Sequence, residues 1–255
     1  MEKIITGFHS IEEKVRAGKN QSNIKIFYSK AGPRVKKIIE AAEKCGIKVS
    51  NVEDKELDNM VAGLDVTLQD HRGIVMKIEN ASANVSNIIN FDSWIKTNEN
   101  SEGRKTVVIL DKVTDPHNVG AILRSCDQFG ANLVVIPEHG SSNDIEGNEV
   151  IGRTSAGASA WVPVTIVSNL VRVVEQLKAA GFWIYGADAG GETLGKINFP
   201  DKTCIIMGSE GTGISQLLEK QCDTIVSIPT CGKIDSLNVS VAAGVLLYEL
   251  YRRQN

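Results

Sequence analysis

Apolar and polar residues alternate along this chain at two periods, and the way those periods succeed one another divides it into parts. Over the first 78 residues, short segments of both kinds follow each other. Ser10-Ile11-Glu12-Glu13 has the spacing of a capping box and predicts a helix ending near Gly18. Asn23 to Tyr28 reads as a strand. Pro33 suits a first helical turn, and Ile38, Ile39 and Ala42 share one face until Gly46 stops that helix. Ile47 to Val52 predicts a strand, Asp54 to Val61 a short helix and Gly73 to Ile78 another strand. Residues 1–78 are thus expected to form a small α/β domain.

Residues 79–104 change character. ENASANVSN and TNENSEGRK are rich in Asn and Ser, with one amphipathic patch around Ile88 to Ile95, and predict an interdomain linker carrying a short helix. From Thr106 apolar strands alternate with capped helices: strand Val107–Leu110, helix Val119–Phe129 closed by Gly130, strand Leu133–Ile136, and helix Leu170–Ala180 closed by Gly181. Strands Trp183–Ala187 and Cys204–Met207, a helix from Ile214, strand Thr224–Ile228 and a long helix from about Leu237 complete it. This βα rhythm over residues 105–255 predicts an α/β domain with a parallel sheet covered on both faces.

Composition narrows the classes. The chain is 42% hydrophobic and 23% charged, and no apolar run reaches the ~18 residues of a membrane span. The N-terminal sequence lacks the apolar stretch and cleavage site of a signal peptide, so a cytoplasmic location is expected. Five cysteines without a CxxC pair read as free thiols rather than disulfides or a metal site. Net charge is −3, but residues 1–50 carry 11 Lys and Arg against 5 Asp and Glu, while the other 205 carry 17 against 26. A basic front on an acidic body suits a polyanion partner; a solvated helix face bearing Lys36 and Lys37 accounts for the charge equally well.

In open parallel sheets ligands bind at the C-terminal ends of strands, which directs attention to three strand-to-helix loops. Met207 to Gly213 is Gly-rich and suits close backbone approach, yet it is neither GxGxxG nor a P-loop, and Glu210 would repel a polyphosphate. It fits a less anionic ligand, or simply a tight turn. Leu110 to Gly120 leads to Arg124, whose position near a helix N-terminus helix energetics does not explain; it could bind phosphate, bind a carboxylate, or form an ordinary ion pair. His117 suggests acid–base chemistry, but beside Pro116 in a turn it reads as a capping or packing residue. Ser236 and Asn238 flank Leu237 where the last helix begins, as caps or as ribose-binding groups.

Taken in order, DPHNVGAILRSCDQFGA (115–131), IIMGSEGTGIS (205–215) and IPTCGKIDSLNVSVAAGVLLYE (228–249) resemble the three motifs of SpoU/TrmH-type ribose methyltransferases. The front module, GFHSIEEKVRAG through HRGIVMKI, resembles the substrate-binding domain of the branch acting on a guanosine of 23S rRNA. The resemblance implies a knotted methyltransferase domain with a trefoil knot, a homodimer, and S-adenosylmethionine as methyl donor without metal or membrane. It implies catalytic roles for Asn118, Arg124, Glu210, Ser236 and Asn238, and cofactor contacts at Ala187, Gly208, Ile228 and Leu237. Arg124 would lie at the reacting hydroxyl with Glu210 orienting it, and Asn118 and Asn238 would hold the ribose. The stretch Asn143–Gly152 is less typical of the family than its surroundings, and its role stays open. The same chemistry on tRNA, a non-catalytic RNA-binding protein and a nucleotide-dependent oxidoreductase are the rivals; the absent GxGxxG disfavours the last.

Overall fold

The computed structural model describes residues 3–17, 24–64, 66–78, 87–233 and 236–253. They fall into two compact units, Met1–Ser86 with Ile145–Trp161, and Asn87–Asp144 with Val162–Asn255.

The first unit begins with β1 (Lys3–Ile5), α1 (Phe8–Ala17), β2 (Ile24–Tyr28), α2 (Pro33–Lys44), β3 (Lys48–Asn51), α3 (Asp54–Val61) and β4 (Ile74–Ile78). Its sheet has the order β1-β4-β2-β3, with β2 and β3 parallel and the other pairs antiparallel. Alternation along the strands assigns the faces. Ile24, Ile26, Ile74 and Met76 meet Ile11, Val15, Val35 and Ile38 of α1 and α2. On the other face Val75 and the partly buried Phe27 meet Leu57 and Val61 of α3. Each fully buried aliphatic side chain contributes about 1.5–3 kcal/mol. Ser10 does not cap α1. Gly7, at φ 86°, turns the chain so that the helix starts at Phe8, and the Ser10 hydroxyl lies inside it, donating to Gly152 O at 3.4 Å. The expected stop at Gly18 lies outside the described residues, as do residues 79–86 of the expected linker.

The second unit takes in residues 87–104. Ile89 N donates to Val164 O at 2.7 Å, and α4 (Phe91–Asn98) buries Phe91 and Ile95 in the core of this unit. Ile89, Phe91, Trp94 and Ile95 form an apolar stripe that the surrounding Asn and Ser conceal in composition. The chain continues through β5 (Lys105–Leu110), α5 (Pro116–Phe129) and β6 (Leu133–Pro137). It then supplies α6 (Glu149–Thr154) to the first unit, capped by Asn148, whose side chain accepts from Val150 N at 3.0 Å and Ile151 N at 3.3 Å. Back in the second unit follow β7 (Val164–Val167), α7 (Leu170–Ala179), β8 (Trp183–Thr193), β9 (Lys202–Met207), α8 (Gln216–Glu219), β10 (Thr224–Ser227) and α9 (Val239–Arg252).

The six strands of the second unit are parallel in the order β10-β8-β9-β5-β6-β7. Their sides are buried by apolar runs such as Val107–Leu110 and Leu133–Ile136, as a sheet covered on both faces requires. The sequence pattern misses β1, α6 and β7, and the helix it starts near Ile214 is the four residues of α8. It also ends β8 at Ala187, six residues early.

Candidate active site

The C-terminal ends of β5, β8, β9 and β10 lie side by side, so the loops that leave them share one edge of the sheet. Leu110 and Ala187 both pair with Met207, one on each side of β9. Gly208 therefore follows directly at the centre of that edge, with Asp111 and Asp188 beside it.

Three sequence-remote side chains meet here. Asn118 sits in the first turn of α5, started by Pro116 and capped by Asp115, whose carboxylate accepts from His117 N at 2.9 Å. Its amide is 8% exposed and donates through Nδ2 to Glu210 Oε1 at 2.9 Å. Asn238 caps α9, its Oδ1 accepting from Ser240 N at 2.9 Å and Val241 N at 3.4 Å. That leaves its Nδ2 to donate to Asn118 Oδ1 at 3.0 Å and to Glu210 Oε1 at 2.5 Å. One carboxylate oxygen thus receives N–H groups from two asparagines that are also bonded to each other.

The loop bearing Glu210 is built by close backbone packing. A Cβ on Gly208 would stand 2.2 Å from Gly213 C and 2.4 Å from Ile214 N, which no side chain tolerates. Ser209 and Gly213 exchange backbone hydrogen bonds of 3.0 and 3.1 Å, closing a turn in which Gly211 has φ 98° and Gly213 φ 64°. L-residues rarely adopt such values. Asp111, buried at the end of β5, anchors the far side by accepting from Ser215 N at 2.7 Å.

A second loop is an outward bulge of β8. Ile225 of β10 pairs with Gly186 while its neighbour Val226 pairs with Glu192, so residues 187–191 have no counterpart on β10. Gly191 is pinched against β10, where a Cβ would lie 2.3 Å from Ile225 O. The Asp188 carboxylate accepts from Gly190 N at 3.2 Å, and its other oxygen lies 3.0 Å from where a Gly213 Cβ would be. The sequence pattern does not single out Asp111 or Asp188. An acid ending an otherwise apolar strand, as in VVILD, was the available signal.

Asn118, Glu210 and Asn238 are therefore brought together. Arg124 stands exposed on α5 and is not among the hydrogen-bond partners of that trio; Glu210 orients two amides rather than this guanidinium. Ser236 is exposed beside the cap of α9. Ala187 is the last residue of β8 that pairs with β9, Gly208 and Ile228 follow directly on β9 and β10, and Leu237, 38% exposed, immediately precedes Asn238.

Residues 105–248 match the SpoU rRNA methylase family. The chain belongs to that family. Residues 4–83 match a second family, RNA 2′-O ribose methyltransferase substrate binding. The chain is 34% identical over 255 residues to the 23S rRNA (guanosine-2′-O-)-methyltransferase RlmB of Ralstonia nicotianae, covering 99% of this chain and 96% of that protein. It is 36% identical over 236 residues to an uncharacterised tRNA/rRNA methyltransferase of Borreliella burgdorferi, covering 90% and 98%. In fold it resembles the SpoU methyltransferase AviRb of Streptomyces viridochromogenes, solved with the cofactor AdoMet, at TM-score 0.72 and 22% identity over 99% of this chain and 90% of that one.

The cofactor of this SpoU methyltransferase is S-adenosylmethionine, and the sheet edge fits it. Gly208 keeps the floor clear of side chains, and residues 187–191 and 208–213 contribute carboxylates at Asp188 and Glu210 but no Lys or Arg. An acidic, backbone-lined rim suits a cationic sulfonium and would reject a polyphosphate.

Proposed function

We propose that this protein methylates the 2′-hydroxyl of a guanosine in 23S rRNA, with the three-loop edge of the second unit as its active site. The carrying observation is the Asn118–Glu210–Asn238 constellation, which joins three family motifs into one hydrogen-bonded group. Backbone at Ala187, Gly208, Ile228 and Leu237 would hold S-adenosylmethionine, which supplies an electrophilic methyl group when bound.

The chain's own residues have the following tasks. Glu210, bridged by two amides, fixes the entry of α5 against the entry of α9. Asn118 and Asn238 thereby hold a rigid wall for the target ribose, and well-aligned reactants can gain about 7–11 kcal/mol from positioning. Arg124 brings a permanent positive charge to the target, binding a phosphate or steadying the oxygen as its proton leaves. A guanidinium is not itself a base at neutral pH. Ser236 offers a hydroxyl at the same rim.

Residues 1–78 would bind the RNA and residues 105–255 carry out the transfer, in the cytoplasm. The similarity along 99% of the chain to a 23S rRNA (guanosine-2′-O-)-methyltransferase favours rRNA over tRNA, and the match of residues 4–83 to a substrate-binding family supports the first unit as the part that meets the RNA. A homodimer is supported by α9, which exposes Val241, Val245, Tyr248 and Tyr251 on one stripe. The trefoil knot belongs to this reading as what the family resemblance implies.

The test is transfer of labelled methyl from S-adenosylmethionine to unmodified 23S rRNA and, separately, to bulk tRNA, followed by nuclease digestion. Label on one guanosine ribose of the rRNA is expected. Ribose label in tRNA alone would overturn the substrate, and donor binding without any transfer would overturn the activity.

A further inference from the structure

Three lysines of the first unit stand in one row across its sheet. Lys25 on β2 pairs in register with Lys77 on β4 and with Lys48 on β3. Residues in register on neighbouring strands share a face and lie about 4.8 Å apart. The row continues on β1 at Ile4, which pairs with Lys77. Two residues along, the same face carries Phe27, Val75 and Ser50, and there α3 covers it with Leu57 and Val61. The row thus belongs to the α3 side of the sheet, opposite the side that carries α1 and α2.

Like charges placed directly opposite one another destabilise a sheet. Here the arrangement occurs twice in succession, on a central strand and both its neighbours. Two nearby α3 carboxylates are engaged elsewhere: Asp54 with Ser29 and with Lys30 at 3.3 Å, and Asp58 with His71 at 3.0 Å. Lys48 is exposed, whereas Lys25 and Lys77 are half-buried and each also interacts with another group of the chain. A polyanion would therefore meet two held charges and one reaching charge, in line.

We propose that the Lys77–Lys25–Lys48 row is a contact surface for the RNA phosphate backbone. It rests on the reading of the protein as an RNA methyltransferase and locates, on the first unit, a face that grips substrate without reading its sequence. Phosphate contacts of this kind fix register and orientation and make affinity depend on salt.

The experiment compares the full-length protein with Lys25→Gln/Lys48→Gln/Lys77→Gln, with Lys48→Gln alone, and with Lys36→Gln/Lys37→Gln on α2. Binding to in-vitro-transcribed 23S rRNA is followed across a KCl series, with melting and S-adenosylmethionine binding as checks on folding. The triple variant is expected to bind at least about tenfold more weakly near physiological salt, and to flatten the log–log salt slope by about 2, since each lost contact removes roughly 0.7. Lys48→Gln alone should flatten it by about 0.7. Cofactor binding should not change. An unchanged slope in the triple variant, an effect of equal size from the α2 pair, or a wild-type protein that binds no RNA would each overturn the proposal. Methyl transfer by the wild type is scored separately: its failure would sink the enzymatic reading while the slope comparison still decides this one.

Discussion

The Asn238 side chain donates to Asn118 Oδ1 at 3.0 Å across 120 residues of sequence, while its own Oδ1 caps α9. One amide thus performs two separable tasks, starting a helix with its oxygen and bracing the candidate site with its nitrogen.

Asn238→Asp should separate those tasks. The carboxylate still caps α9 but replaces a donor with an acceptor facing Glu210 Oε1. Methyl transfer should fall by about 100-fold or more, as when one preorganised donor is lost. Asn238→Ala should lose activity similarly and also about 1 kcal/mol of stability with the cap. Calorimetry beside the transfer assay checks both. Full activity in the Asp variant would mean that the Nδ2 bonds are incidental.

Arg124→Ala should abolish turnover while sparing S-adenosylmethionine binding, because this exposed guanidinium has no part in building the trio. Titration of donor affinity against turnover is the check. Normal turnover would remove Arg124 from the site.

Gly208→Ala should damage the proposed cofactor loop. With a Cβ only 2.2 Å from Gly213 C, backbone must shift, at a cost of about 1–3 kcal/mol or more. Donor affinity should fall at least about tenfold, the equivalent of roughly 1.4 kcal/mol. A variant that melts and binds donor like wild type would show that this loop adjusts freely.

Val241→Glu with Tyr248→Glu should dissociate the proposed homodimer. Both residues are about half exposed on α9, and charges there would be buried unpaired in an apolar contact. Analytical ultracentrifugation reads the change from two chains to one; a wild type already monomeric would refute the dimer.

Glu249→Gln should lower the melting temperature in a pH-dependent way. Arg252 and Arg253 hydrogen-bond the Glu249 carboxylate and hold its pKa down at about 2, while Arg253 also reaches Gly195 O at 3.1 Å. Because the folded pKa is below the unfolded one, the stabilisation is complete above the ordinary value of 4.5 and fades as pH falls toward about 2. Melting of the two proteins should differ at neutral pH and converge at the acid end.

The elements with strong local signals were legible in the sequence. Asp54–Val61 agrees end for end because polar turns bound an amphipathic stretch, and Gly130, at φ 74°, stops α5 where the pattern places it. Lys3–Ile5 and Val164–Val167 are too short for periodicity to register. The position of each trio member could be read, since two lie in the first turn or at the cap of a helix and the third lies in a Gly-rich turn. Their partners could not: hydrogen bonds spanning 92 and 120 residues depend on strand order, which local pattern does not encode. The resemblance pairs Glu210 with Arg124, whereas the structure gives its carboxylate two asparagine amides.

Residues 145–161 belong with the first unit although the chain reaches them only after beginning the second. During synthesis this gives the N-terminal unit an unusual timetable. After Ser86 has left the ribosome, 75 further residues, from 87 through 161, must follow before its last piece is available. At about 5–20 residues per second that is a delay of roughly 4–15 seconds. Through that interval the surface of α1 around Ser10 and Glu13, which residues 152–157 later cover, waits bare while β5, α5 and β6 are being made. The unit begun first is therefore completed only after the second has been started, and a nascent chain stalled short of Trp161 would present that bare surface to whatever binds unfinished proteins.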